Sequence, residues 1–386
     1  MFGIHLGGKH EKVIAVADIG SGSAALAIVA IPKVGPVRIL AAERRFLPIE
    51  ERSPEAIIAA LGVHLIEAGK AALASHQKNG GAFPRSAYAI IRAPWTRSKT
   101  IKVRTVFPKT ARITGAMISR LAQQALTDDT EFDKGRILEA SVVRVEVNGY
   151  PTAQPEGTLG QELTVATLLS ECDPSLRAAV TASLQQLFGT RPLILRSGVH
   201  ALLSMLRNKP DVPPDFVVVD MASEGTNLMV IRDGVTTDHA MVAEGKNTLL
   251  KRVGGTGLPD HTITMLRLLA AGECHDPACE EVSAAMAKAE PELVRVFGET
   301  IAKLVARQRL PNYVLLATHN DMVPWLSAFF SRIDFAQFTK TTQPFIVTAL
   351  KSADLAQWTA PEGPVRADIG TLIATALVNI EQGRAS

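Results

Sequence analysis

One pattern constrains this chain more than any other: an apolar run that ends in aspartate, a short turn, and a second apolar run, occurring twice. The first copy is "VIAVAD", "IGSGSAA", "LAIVAI", with its aspartate at Asp18. The second is "DFVVVDMASEGTNLMVIRDG", with its aspartate at Asp220. Short apolar runs rich in β-branched residues and separated by Gly/Ser turns are strand–turn–strand units. A repeat of this length predicts two related lobes, because the periods of solenoid repeats are far shorter.

The chain between the copies is organised differently. "VRILAAERRFL" reads as a third strand, and "SPEAIIAALGVHLIEAGKAALAS" as a helix with Ser53 as N-cap and Pro54 at its first position. "SAYAIIRAP" is another strand. Over roughly 95–190 the pattern becomes strand, helix, strand, strand, helix, a compact α+β module set into a larger α/β fold. "CEEVSAAMAKA" and "PELVRVFGETIAKLVARQR" read as two helices and the final "ADIGTLIATALVNIEQG" as another. The expected domains are a first lobe over 1–94 completed by 345–386, the inserted module over 95–190, and a second lobe over 191–344 with a helical part at about 256–300.

Composition removes several function classes. A length of 386 residues with 47% apolar and 20% charged residues supports a large buried core in two or more domains. A net charge of +3 and 5% aromatics argue against a nucleic-acid binder. Three cysteines, Cys172, Cys274 and Cys279, point to a reducing compartment rather than a disulfide framework. "GECHDPACE" places His275 between two of them, but the spacing is poor for zinc, and a loop between helices is the expectation. "MFGIHLGGKHEK" does not resemble a signal peptide, and Asp18 with the Gly/Ser turn makes Val13–Ile31 a poor membrane span.

The first turn has the chemistry of a phosphate cradle. Gly20 and Gly22 permit close backbone approach, Ser21 and Ser23 add hydroxyls, and Asp18 can hold a hydrated Mg²⁺. The same residues also suit an ordinary hairpin turn. Residues 97–112 carry six basic side chains and no acid. Lys102 and Arg104 on the exposed face of this strand are candidate contacts to an acidic partner, or a solvated edge that discourages strand pairing.

"VIAVADIGSGSAALAIVAI" resembles the first phosphate motif of the actin/Hsp70/sugar-kinase superfamily, and most of all its FtsA/PilM branch. The module at 95–190 falls where that branch carries its inserted SHS2-type subdomain. "LRSGVHALLSML" precedes the second hairpin as a helix does in the family, and "YVLLATHNDMVPWLSAFFSR" stands at the adenosine motif. The resemblance spans about Val13 to Ile380. It implies an actin-like α/β fold of two lobes, each ribonuclease-H-like, with ATP and Mg²⁺ held between them. The nucleotide-binding residues it implies are Asp18, Gly20, Ser21, Gly22, Ser23, Asp220, Ser223, Glu224, Gly225, Thr226 and Thr318, with Asp18 and Asp220 toward the metal.

The second motif departs from the pattern. Where the family has Asp-Ile-Gly-Gly-Gly-Thr-Thr-Asp, this chain has Asp220, Met221, Ala222, Ser223, Glu224, Gly225, Thr226 and Asn227. A carboxylate such as Glu224 beside a phosphate is repulsive by roughly 1–4 kcal/mol. "ATHND" likewise lacks the glycines of the adenosine turn, and Thr318 and His319 narrow the space there. ATP binding is therefore expected to be weak or lost and turnover very low or absent, with no residue standing out as a general base for water.

The resemblance implies a cytoplasmic scaffold, peripheral to the inner membrane through its partners. FtsA-like members tether cell-division filaments to that membrane. PilM-like members serve the type IV pilus machine and bind a short peptide of a membrane partner. The sequence closes at "ALVNIEQGRAS" without a basic amphipathic tail, which tilts the expectation toward the pilus branch. The expected partner is the cytoplasmic tail of a membrane protein, docking near residues 88–112. Head-to-tail self-assembly is a further expectation of an actin-like fold. The alternative is an ATP-dependent small-molecule kinase of the same superfamily, which needs an intact phosphate grip.

Overall fold

The computed structural model describes residues 11–49, 52–209, 211–254, 259–273, 275, 277–306, 308–332 and 335–384. The chain begins with β1 (Lys12–Ile19), β2 (Ser23–Ile31), β3 (Val37–Phe46), α1 (Pro54–Lys78) and β4 (Ala87–Ile91). The inserted region follows, with β5 (Thr96–Arg112), α2 (Gly115–Asp128), β6 (Ile137–Val147), β7 (Tyr150–Pro151) and β8 (Leu159–Cys172). Then come α3 (Pro174–Phe188), β9 (Leu193–Ser197), α4 (Gly198–Leu206), β10 (Phe216–Met221), β11 (Thr226–Arg232) and β12 (Val235–Val242). The rest is α5 (Lys246–Gly254), α6 (Pro259–Ala271), α7 (Pro277–Val305), β13 (Tyr313–Leu316), α8 (Val323–Arg332), β14 (Ile346–Ala349), β15 (Thr359–Pro361) and α9 (Ile369–Arg384).

Two compact units result, one of 1–91, 175–196 and 351–386, the other of 92–174 and 197–350. In the first, the sheet order is β15-β3-β2-β1-β4-β9. β1, β2 and β3 form an antiparallel meander and β4 runs parallel to β1. β1 and β2 are buried almost throughout, as befits strands covered on both faces. α1 packs on β2 and β3, and α9 on β1, β2 and β3. Ser53 caps α1, accepting from the Ala56 amide at 3.3 Å. α1 is also the one helix among the described residues long and apolar enough to cross a membrane by composition.

α3 belongs to this first unit, although the sequence pattern groups it with the module at 95–190. The reason lies in two glycines of α1, seven residues apart on one face. The Gly62 carbonyl accepts from Ser183 Oγ at 3.1 Å. A β-carbon on Gly69 would lie 2.3 Å from Leu187. The two helices therefore meet closely at these glycines; a side chain at Gly69 would force Leu187 to move, while a β-carbon at Gly62 would only touch Ser183 and Ala179.

The second unit holds two sheets. One has the order β12-β11-β10-β13-β14, with β10, β11 and β12 antiparallel and β13 and β14 parallel to β10. The other has the order β5-β8-β6-β7, and α2 covers it over a core of Ile113, Leu121, Val145, Val147, Leu163 and Val165. α7 runs unbroken through Pro291, where the sequence predicts two helices. Leu293, Phe297 and Ile301 beyond the proline are buried, and that packing offsets the one backbone bond a proline removes. Cys279, near the start of α7, is disulfide-bonded, against the expectation from a low cysteine count. Cys172 is a buried thiol outside any disulfide, donating to Asp173 O at 3.4 Å. Cys274 lies outside the described residues, and among those described no His/Cys/Asp/Glu cluster suits a metal.

Candidate functional site

In the first unit, Asp18, Gly20, Ser21, Gly22 and Ser23 come together at the β1–β2 turn. Asp18 is only 2% exposed. Its neighbour across the sheet is Ala25 on β2, and the neighbour of Ala25 is Arg44 on β3. These three residues form one row across three strands and share a face. The methyl group of Ala25 leaves room for Arg44 to reach over it. Arg44 Nη2 donates to Asp18 Oδ2 at 2.5 Å, and Nη1 to Ser23 Oγ at 2.8 Å. Nε and Nη2 form a fork on Asp368, at 2.7 and 2.9 Å. Burial opposes the Arg44 charge, but Asp18 and Asp368 outweigh it and raise its pKa above the ordinary value.

Asp368 also caps α9, accepting from the Gly370 and Thr371 amides at 2.9 and 3.1 Å. The N-terminus of that helix is thus already satisfied by a carboxylate. At the turn, the Gly20 amide donates to Ser23 O at 3.0 Å and the Leu47 amide to Gly22 O at 2.9 Å.

These contacts decide whether the residues fit a hydrated Mg²⁺, and they do not. The Asp18 carboxylate, which would hold the ion, is paired with a guanidinium. A dication about 4 Å from that guanidinium is repelled by roughly 2–8 kcal/mol at effective dielectrics of 80 to 20. Sequence reasoning names Asp18 and Ser23 but misses Arg44 and Asp368. The signal available was "AERRF" in the third strand of a meander, two strands over from Asp18.

The second unit gathers Asp220, Ser223, Glu224, Gly225, Thr226 and Thr318 around the β10–β11 turn. Asp220 stands opposite Asn227, whose Oδ1 is buried without a protein partner. Glu224 Oε1 accepts from Asn247 Nδ2 at 2.6 Å. Thr226 Oγ1 donates to Glu244 O at 2.6 Å and Thr318 Oγ1 to Met221 O at 2.9 Å. The Ala222 amide donates to Gly225 O, and the Lys246 and Asn247 amides to Ala222 O and Ser223 O. A β-carbon on Gly245 would lie 2.4 Å from the Gly225 nitrogen. Gly245 is therefore packed against the Gly225 amide, and the two following amides hold the turn's carbonyls. The expectation for Glu224 was repulsion of phosphate. The structure adds that its carboxylate is turned onto the chain's own Asn247.

Lys102 and Arg104 lie on β5, an edge strand of its sheet. They border an open groove of about 380 Å³ beside the end of α2, lined also by Ile101, Val103, Asp128 and Asp129. Three of the six basic residues of this stretch are paired with acids of their own unit. Arg97 pairs with Glu171 at 2.9 Å, Lys99 with Glu131 at 2.8 Å and also with Asp129, and Arg104 with Glu162 at 2.6 Å.

β12 runs beside β5, and His239 on it has a pKa pulled down to about 4 by burial and by Arg97. The folded value lies below the ordinary 6.5, so the unfolded chain binds the proton first. Stability in this region falls as pH drops from about 6.5 toward 4. An NMR titration is expected to show the His239 ring neutral down to pH 5. A midpoint near 6.5 would remove this burial from the account.

The repeated strand order and the shared Asp hairpins define the class: this chain has the actin-like α/β fold. It is similar over 97% of its length to PilM in a PilM-PilN type IV pilus biogenesis complex, covering 98% of that chain with a TM-score of 0.55 and 16% identity. A more distant superposition is with ethanolamine utilization protein EutJ from Carboxydothermus hydrogenoformans, at TM-score 0.43 and 13% identity, covering 96% of this chain and 90% of that one. No protein-family model matches the sequence, and no curated protein is recognisably similar to it in sequence.

Proposed function

We propose that this protein is a PilM-like adaptor: a cytoplasmic actin-fold scaffold that binds the cytoplasmic tail of an inner-membrane pilus protein and turns over little or no ATP. The observation that carries the reading is the internal use of the nucleotide residues. Asp18 is paired with Arg44, Glu224 with Asn247, and Thr318 with Met221. A kinase needs those groups for phosphate and metal; a scaffold does not. The likeness in fold to PilM supports the pilus branch over the cell-division branch.

The groove at the β5 edge is the proposed contact region, with Lys102 and Arg104 as its basic side. An extended tail placed along this edge would meet the apolar Ile101 and Val103 as well as the two basic residues. Cells lacking the protein are expected to lose surface pili while dividing normally, and the protein is expected to sediment with inner-membrane vesicles. Changing Lys102 and Arg104 together to glutamate is expected to release it from those vesicles about tenfold, since reversing two rim charges weakens docking without disturbing a core. Filamentous cells with normal pili would overturn the pilus assignment. Unchanged sedimentation of the charge-reversed protein would overturn the contact region.

A further inference from the structure

We infer that the Asp18 hairpin carries a built-in cation: Arg44 takes, at the aspartate, the place where an actin-like fold would use a divalent metal, so this hairpin takes no Mg²⁺ and is held in one state without ion or nucleotide. The inference concerns the cation alone and stands whether or not the adaptor reading holds.

Three observations converge on it. The first is position. Strand register puts Asp18, Ala25 and Arg44 in one row, so the guanidinium reaches the carboxylate from within the same sheet face. The second is saturation. Arg44 engages Asp18, Ser23, both oxygens of Asp368 and, at 3.3 Å, Thr371 Oγ1. A planar guanidinium with five N–H groups suits this fork, whereas a hydrated dication needs six oxygens in an octahedron. The third is the helix end. The α9 N-terminus, a natural anion site, is filled by Asp368. Two carboxylates around one guanidinium leave the cluster with an excess negative charge, which disfavours a polyphosphate. Arg44 cannot turn to a phosphate without giving up its bonds to both Asp18 and Asp368.

The consequence is a change of use. In place of a metal that comes and goes with nucleotide, a permanent side chain ties β1, β2, β3 and α9 together.

The test uses the full-length protein labelled with ¹⁵N on arginine side chains, titrated with Mn²⁺ alone and with Mn²⁺ plus ATP. The Arg44 Nε resonance is expected to persist without selective broadening, and the free Mn²⁺ signal in electron paramagnetic resonance to show no site that Asp18→Asn removes. Arg44→Gln, which keeps the volume but not the charge, is expected to gain Mn²⁺ affinity by about tenfold or more, because the repulsion is gone and two carboxylates remain. Selective bleaching of Arg44 in the unaltered protein, lost in Asp18→Asn, would overturn the inference. So would an Arg44→Gln protein that folds and binds Mn²⁺ no better than its parent. If Arg44→Gln does not fold, the bleaching experiment on the unaltered protein decides alone.

Discussion

Changing Glu139 to alanine is expected to cost about 3–5 kcal/mol in a urea melt at neutral pH, because it removes the acceptor of several hydrogen bonds, each buried group left unsatisfied costing about 1–3 kcal/mol. The Glu139 side chain on β6 is 2% exposed. Its Oε1 accepts from the Ser197 amide at 2.8 Å, and its Oε2 pairs with His200 Nδ1 at 2.6 Å and accepts from Ser141 Oγ at 3.1 Å. Truncation removes the acceptor of these groups in a buried site. The cluster continues through hydroxyls. Ser170 Oγ donates to Ser197 Oγ at 3.0 Å and meets Ser98 Oγ at 2.8 Å, while Ser197 Oγ caps α4 by accepting from the His200 amide at 3.1 Å. One glutamate therefore ties the module strands β5, β6 and β8 to the start of α4. Burial raises the Glu139 pKa, but His200 and Ser197 outweigh it and the net direction is down. A carboxylate with a lowered folded pKa contributes stability above its ordinary value of 4.5, lost as pH falls through the lower folded value. Glu139→Gln is expected to flatten the acid limb of the stability curve and to cost less at neutral pH, because an amide oxygen still accepts from Ser197. A Glu139→Ala protein within 1 kcal/mol of its parent would remove this network from the account.

This cluster also marks what a sequence conceals. The repeated strand–aspartate–strand pattern was legible because short continuous apolar runs and the Gly/Ser turns that bound them are local signals. It led to sheets in which β3-β2-β1-β4-β9 and β12-β11-β10-β13-β14 have matching orders. The altered second hairpin was legible too, since Ala222, Ser223 and Glu224 stand where glycines would be needed. The groups that answer the site's chemistry were not. Glu139 and His200 lie 61 residues apart, and Arg44 and Asp368 lie 324 apart, and nothing in either segment announces the pairing. Arg44 becomes visible only once strand register is fixed, because a shift of one residue would turn it to the other face. The long basic strand misled in the opposite way. Its charges look unopposed in sequence, but Glu131, Glu162 and Glu171 arrive from elsewhere in the fold. Pro291 and α3 are failures of local rules against packing: buried side chains carry α7 through a proline, and two glycines on α1 recruit α3.

Arg44 is where fold and function meet, and its removal has the second large expected effect. Arg44→Ala takes the guanidinium away from the buried Asp18 carboxylate and from Asp368, so a loss of about 3–5 kcal/mol is expected. The effect should be one of unpaired charge rather than lost volume, and a double-mutant cycle separates the two. Asp18→Asn alone keeps an acceptor for the guanidinium and should cost less. Arg44→Met combined with Asp18→Asn removes both charges, and it is expected to be more stable than Arg44→Met alone, with a coupling of about 2 kcal/mol or more. Additive single effects would mean that the two side chains are close without depending on each other. A strong coupling has a further meaning for an actin-like chain. In a nucleotide-dependent fold, ligand binding adds stability by mass action, and the apo protein is the weaker state. Here an internal guanidinium supplies the charge at the first hairpin permanently, so Mg²⁺ with ATP should leave the unfolding midpoint of the unaltered protein where it was. A scaffold that must stay assembled whatever the nucleotide level is served by that arrangement, and an enzyme cycling through bound states is not.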